Sequence, residues 1–195
     1  MERKAKVKRK TLETQIELHF NVDGSGNYDI ATSIPFFDHM LASLARHGFF
    51  DLTIKAKGDT EVDFHHTVED IGICMGKALK KSLGDKKGIK RFGGMTVPMD
   101  EALVSVFMDI SDRPFLIYKV ELNKEKVGGF DLELIKEFFQ ALASHSGITL
   151  HINLIHGKNA HHIIEAIFKA FGHALDAATS PEKREEKVTS TKGIL

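Results

Sequence analysis

The pattern His-His-x-x-Glu occurs twice in this chain, each time opening a stretch whose apolar residues recur at helical spacing. "HHTVEDIGICMGKAL" covers residues 65–79 and "HHIIEAIFKAFGHAL" covers residues 161–175. At an offset of 96, seven of these fifteen positions are identical, including His65/His161, His66/His162, Glu69/Glu165 and Gly76/Gly172. Upstream the match continues at an offset of 98. There "FFDHMLASLARHGFFDLTI" aligns with "LIKEFFQALASHSGITLHI", pairing Leu44 with Leu142, Ala45 with Ala143 and His47 with His145. Colinear blocks of this kind mean duplication, and duplication constrains a fold strongly: whatever one half builds, the other builds again.

Each half reads as two alternating strands, a helix, a strand and a second helix. The first half predicts strands over 14–22 and 30 or so residues in, over 28–33, joined by the turn signal "DGSGN". A helix over 37–46, a strand over 50–56 and the His-His helix over 64–83 follow. The second half predicts strands over 96–110 and 115–121, a helix over 132–144, a strand over 149–154 and a helix over 160–178. The basic start passes into the alternation of Ile16, Leu18 and Phe20, so it belongs to a strand. The tail from 181 to 195 is polar and is expected to be extended. The expected fold class is α+β: two half-domains, about 1–92 and 93–180, each a small mixed sheet with two helices on one face. The helices of the halves would pack against each other between the two sheets. All 195 residues then form a single domain, a length well suited to one shared core.

Lys plus Arg and Asp plus Glu number 27 each. Zero net charge and few aromatics argue against a nucleic-acid surface, and so against an RNA-binding module. No apolar run approaches the roughly 20 residues of a membrane span. The single cysteine, Cys74, excludes an internal disulfide framework and fits a reducing compartment. A cytoplasmic protein is the expectation.

The repeated motif has the chemistry of a metal site. Residues four apart share a helix face, so His65 and Glu69 reach one ion, as do His161 and Glu165. His66 and His162 are turned by about 100° from their neighbours and point to a second site. If the halves are related by a pseudo-twofold axis, ligands are exchanged. One ion takes His65, Glu69 and His162, and the other takes His161, Glu165 and His66. His39 aligns with Glu137 at the offset of 98, which adds His39 to the site of His66 and Glu137 to that of His162. Nitrogen ligands with one or two carboxylates suit Mn²⁺, Fe²⁺ or Zn²⁺ with positions left open. A two-metal hydrolase and a metal-stapled assembly protein both fit this much. Only an enzyme also needs a pocket for substrate.

The motifs "FFDHMLASLARHG", "DFHHTVEDIGICMG", "MDEALVSVFMDISDRP" and "HINLIHGKNAHHIIEAIFKAFGHAL" resemble the imidazoleglycerol-phosphate dehydratase family. The resemblance runs from about Arg9 to the C-terminus. It implies two Mn²⁺ per active site, with other divalent metals possible, and self-association through trimers to a 24-subunit shell. It puts His39, His66, His161 and Glu165 on one ion and His65, Glu69, His162 and Glu137 on the other. Many members carry His where this chain has Glu137; a carboxylate also ligates manganese.

The implied reaction is removal of water from imidazole glycerol phosphate, giving imidazole acetol phosphate, a step in histidine biosynthesis. The carbon-bound hydrogen that is lost has no carbonyl beside it. An imidazolate, stabilised by a metal on each ring nitrogen, would expel the neighbouring hydroxide through a diazafulvene-like intermediate. By the same resemblance Glu13, Glu69, Glu165 and Asp100 are the acid/base candidates. Contacts to the substrate fall on Glu13, His39, His47, His65, Glu69, His161 and Lys169. Contacts to its phosphate fall on Arg91, Arg113, Ser190, Thr191 and Lys192.

Overall fold

The computed structural model of the chain describes residues 2–185 and 187–193. The first half runs β1 (Lys4–Lys10), β2 (Thr14–Asn21), β3 (Tyr28–Ala31), α1 (Pro35–His47), β4 (Asp51–Gly58) and α2 (His65–Leu83). The second runs β5 (Phe92–Met99), β6 (Ala102–Ile110), β7 (Phe115–Lys119), the short pair β8 (Lys126–Val127) and β9 (Phe130–Asp131), α3 (Leu134–Ser146), β10 (Ile148–His156) and α4 (Ala160–Thr179). The two large sheets have the same plan, β1-β2-β4-β3 and β5-β6-β10-β7. In each, the first two pairings are antiparallel and the last is parallel.

Period-2 patterning decides which sheet face is covered. On β2 the side chains of Ile16, Leu18 and Phe20 are buried, while those between them are not. Each such burial is worth about 1.5–3 kcal/mol. The helices cover both inner faces. α2 lies on β1 and β2 and packs against α3; α4 lies on β5 and β6 and packs against α1. Helices of both halves thus form a middle layer. Phe37 and Phe138 meet there edge to face at 5.2 Å, and Phe138 stacks on Phe168 at 5.6 Å.

The close approach of the helices depends on the two glycines that the repeat aligned. A Cβ on Gly76 would lie 2.6 Å from the carbonyl oxygen of Leu142, and one on Gly172 would lie 2.7 Å from that of Leu44. Leu44 and Leu142 are themselves repeat partners, so the two contacts are reciprocal, as a pseudo-twofold relation requires. The Gly76→Ala variant must push α2 off the backbone of α3. It is expected to lose about 1–3 kcal/mol in denaturant unfolding, although alanine is the better helix former.

Three expectations are corrected. The strand expected over 96–110 is two strands, broken at Asp100 and Glu101. Asp100 adopts a φ of 47°, a left-handed turn conformation that a short polar side chain tolerates. Lys4–Lys10 is a strand of its own, separated from β2 by a turn in which the Thr11 hydroxyl accepts from the amides of Glu13 and Thr14. The tail is folded back rather than extended. Pro181 bridges to Ile89, Gly88 donates to the carbonyl of Lys187, and turns follow. The parts of that expectation on Glu186, Ile194 and Leu195 lie outside the described residues.

One ion-pair cluster ties the halves together. Asp112, between β6 and β7, pairs with the buried Lys86 and, at 3.2 Å, with Lys80 of α2. Burial acts to raise the Asp112 carboxyl, but hydrogen bonding and charge from Lys86 and Lys80 outweigh it, and the group sits below its ordinary value. The stabilisation is therefore present above about pH 4, the unfolded value, and is lost as pH falls through the lower folded value. Asp112→Asn leaves a buried ammonium without its counter-charge. It is expected to cost about 3 kcal/mol at pH 7 and to differ little from the parent near pH 2, measured by denaturant unfolding at both.

Candidate metal centre and phosphate cavity

Both His-His pairs stand at the first turn of a helix, and an Asx side chain holds each there. The Asp63 carboxylate accepts from the amide of His65 at 2.7 Å, and the Asn159 side chain accepts from the amide of His161 at 3.0 Å. These two acceptors, of which only Asn159 is the N-cap itself, are again 96 residues apart. They satisfy amides that the helix leaves unpaired and fix the direction in which the imidazoles leave the backbone.

On α4 the expected cluster forms. The Glu165 carboxylate lies 3.3 Å from Nε2 of His161 and 3.5 Å from Nε2 of His39 on α1. One donor atom from each of the three falls within 4.8 Å of the others, the one such trio among the described residues. Two imidazole nitrogens and a carboxylate oxygen suit a divalent first-row metal. Lys169, one turn on, donates to the other Glu165 oxygen at 2.9 Å. Burial acts to raise the Glu165 carboxyl, but Lys169 and then the two histidines outweigh it, leaving the group below its ordinary value. Glu165 is thus a carboxylate ready to ligate.

The matching group on α2 is looser. His65 and Glu69 are 3.9 Å apart, and the Glu69 side chain is 47% exposed where that of Glu165 is 10%. The residue 96 before Lys169 is Ile73, so Glu69 lacks the counterpart of the Lys169 ammonium. Glu137 is half-buried on α3 and lines a 590 Å³ cavity with Tyr118 and Lys136.

His66 and His162 join neither group within one chain. His66 Nδ1 is 3.0 Å from Asp59, and its Nε2 is 3.8 Å from Glu13. His162 Nδ1 is 2.7 Å from Glu101, and its Nε2 is 3.6 Å from Asp100. The hydrogen bond that His66 donates to Asp59 raises the pKa of His66, and the one that His162 donates to Glu101 raises the pKa of His162. Glu101 is correspondingly lowered to about 2, chiefly by His162 and then by the amides of Asn159 and Lys158. Glu13 and Asp100 occupy equivalent places, the turns between the first and second strands of their sheets. His47 packs edge-on against His173 at 5.4 Å, and burial, then the charge of Lys169, lowers its pKa.

A second group lines an 810 Å³ cavity: Arg91, Arg113, Lys192, Ser190 and Thr191, with Asp112 and Glu185 also on its wall. Arg91 donates to Asp109 through Nε at 2.7 Å and Nη2 at 3.0 Å, and through Nη1 to the Thr189 carbonyl at 2.6 Å. Asp109 is also 3.6 Å from Arg113, which is largely exposed. This brings together all five residues expected at a phosphate. Asp59, Glu101 and Asp109 were not among the sequence candidates. The outward period-2 position of Asp109 on β6 was a usable signal; Asp59 and Glu101 had none.

The sequence profile of imidazoleglycerol-phosphate dehydratase matches residues 32–175. The chain belongs to the imidazoleglycerol-phosphate dehydratase family. It is 59% identical over 195 residues to the imidazoleglycerol-phosphate dehydratase of Pelobacter propionicus, covering 100% of both chains. To that of Thermoanaerobacter pseudethanolicus it is 61% identical over 193 residues, covering 99% of this chain and 100% of the other. Solved dehydratase structures carry the same fold. That from Staphylococcus aureus superposes with a TM-score of 0.83 at 43% identity, covering 91% of this chain and 99% of the other. That from Pyrococcus furiosus gives 0.85 at 40%, covering 97% and 100%. The two sheet halves and the helix layer are therefore the dehydratase architecture. Among the described residues no helix is long and apolar enough to cross a membrane.

Proposed function

We propose that this chain is a hydro-lyase that removes water from imidazole glycerol phosphate and releases imidazole acetol phosphate, in histidine biosynthesis. The observation that carries the reading is the convergence of His39, His161 and Glu165 in a chain of this family. The whole chain acts as one dehydratase domain of two repeats, about 1–92 and 93–180, with a tail from 181. It works in the cytoplasm and self-associates, through trimers, into a 24-subunit particle.

Two Mn²⁺ ions, or other divalent ions, would supply Lewis acidity toward the two nitrogens of the substrate's imidazole ring. His39, His66, His161 and Glu165 would hold one, and His65, Glu69, His162 and Glu137 the other. Arg113, Lys192, Ser190 and Thr191 would fix the phosphate at the edge of the 810 Å³ cavity, with Arg91 braced behind them by Asp109. Fixing the phosphate at one end and the ring at the other orients the reacting carbons between them. Glu13 and Asp100 stand beside the outer imidazole nitrogens, each a carboxylate placed to take or return a proton. One would take the carbon-bound hydrogen as a proton and the other, in its protonated form, would give a proton to the leaving hydroxyl, which departs as water; the enol so formed becomes the ketone.

The test is incubation of the manganese-loaded protein with imidazole glycerol phosphate. The expected product is the ketone, lighter by one water, with the phosphate ester intact. Unchanged substrate overturns the reading, and release of inorganic phosphate replaces it with a hydrolase.

A further inference from the structure

The structure assigns to Asp59 and Glu101 the role of positioning residues, which hold His66 and His162 so that each offers Nε2 to a metal ion. The inference rests on the reading above, in which both histidines are ligands.

In each histidine one ring nitrogen is engaged and the other is not. Nδ1 of His66 faces Asp59 at 3.0 Å and Nδ1 of His162 faces Glu101 at 2.7 Å. A carboxylate only accepts, so Nδ1 carries a hydrogen, and in the neutral ring that a metal ion requires, Nε2 keeps the lone pair. The carboxylates nearest the Nε2 atoms are 3.8 and 3.6 Å away, beyond hydrogen-bond reach. The tautomer, the ring plane and the direction of the lone pair are therefore set before a ligand arrives. A carboxylate behind an imidazole also makes the opposite nitrogen a stronger donor.

Duplication alone does not produce this arrangement. Asp59 lies in the connection from β4 to α2. The corresponding connection in the second half is Gly157, Lys158 and Asn159, with no acid. Glu101 lies in the turn from β5 to β6. The corresponding turn of the first half offers Glu13, which faces Nε2 of His66 instead. The halves place a carboxylate on the same ring nitrogen from non-equivalent loops. A shared chemical demand on the two histidines accounts for that where common descent does not. Asp59 serves no other described side chain: its second oxygen is buried and has no partner. Glu101 has a further task, accepting from the amides of Lys158 and Asn159 at the start of α4.

Manganese titration followed by the spin-resonance signal of the free ion tests the assignment, with sedimentation on the same samples. Asp59→Ala and Glu101→Ala are each expected to weaken manganese binding about 10–100-fold. Asp59→Asn and Glu101→Gln keep an oxygen acceptor for Nδ1–H and are expected to recover most of that loss. The amide variants also keep the test valid if Glu101→Ala loosens α4. Wild-type affinity in Asp59→Ala, with affinity lost in His66→Ala, overturns the positioning role and leaves the ligand reading standing. Wild-type affinity and stoichiometry in His66→Ala removes the ligand reading, and this inference with it.

Discussion

Glu165→Ala is expected to abolish metal loading at its site and to lower turnover at least about 10³-fold, equivalent to roughly 4 kcal/mol of transition-state stabilisation. Glu165 is the hub of the one converged donor trio among the described residues: it faces both His161 and His39 through one oxygen and Lys169 through the other. Its removal takes the sole anionic ligand from the trio and leaves the Lys169 ammonium, 20% exposed, with the Met99 sulfur as its remaining described contact at 3.3 Å. An uncompensated ammonium then stands beside the place where a divalent cation would bind. Glu165→Gln separates shape from charge. It keeps the packing of α4 against α1 and loses the negative charge, so it should fold normally and still bind metal poorly. Metal analysis beside steady-state kinetics checks both variants. Full metal content with near-parental turnover in Glu165→Ala would remove this residue from the ligand set.

Chelation is expected to break the assembled protein into smaller units. His66 and His162 are held by Asp59 and Glu101 and reach neither donor group of their own chain. The sites of the proposed function can then be completed only by histidines from other copies. Metal binding becomes subunit-association free energy by linkage, because the ion binds the assembled form and not its parts. Sedimentation velocity before and after EDTA treatment should show a large particle replaced by a smaller species. Re-addition of Mn²⁺ should restore it. A particle whose size ignores chelator after the metal is demonstrably gone would put every ligand within one subunit.

Most of the helical frame was legible because its signal is periodic and written twice. The two His-His helices, read over 64–83 and 160–178, are His65–Leu83 and Ala160–Thr179. The helices read over 37–46 and 132–144 are Pro35–His47 and Leu134–Ser146. The same repeat put His39 in register with Glu137, and His39 does meet His161 and Glu165. Strand ends were less legible. The polar pair Asp100-Glu101 interrupts the alternation between Met99 and Ala102 for only two residues, and only the backbone reveals that Asp100 turns left-handed. β1 hides because it is mostly lysine and arginine, with Val7 its one fully buried side chain. Asp59 and Glu101 were illegible for a different reason. Each occurs once, outside the aligned blocks, and meets its partner only through folding. The repeat also overstated the equality of the two metal groups. It matched Glu69 with Glu165, but where Lys169 steadies Glu165 the first repeat has Ile73.

Each metal ion is expected to take ligands from both repeats and from more than one subunit. Anomalous diffraction at the manganese edge, from crystals of the metal-loaded particle, tests it most directly. About two peaks per chain are expected, one on His39, His161 and Glu165 with His66 supplied by a neighbouring copy, the other on His65 and Glu69 with His162 supplied by a neighbouring copy and Glu137 completing the set. A single peak per chain, or two peaks ligated by one repeat of one subunit, would contradict it.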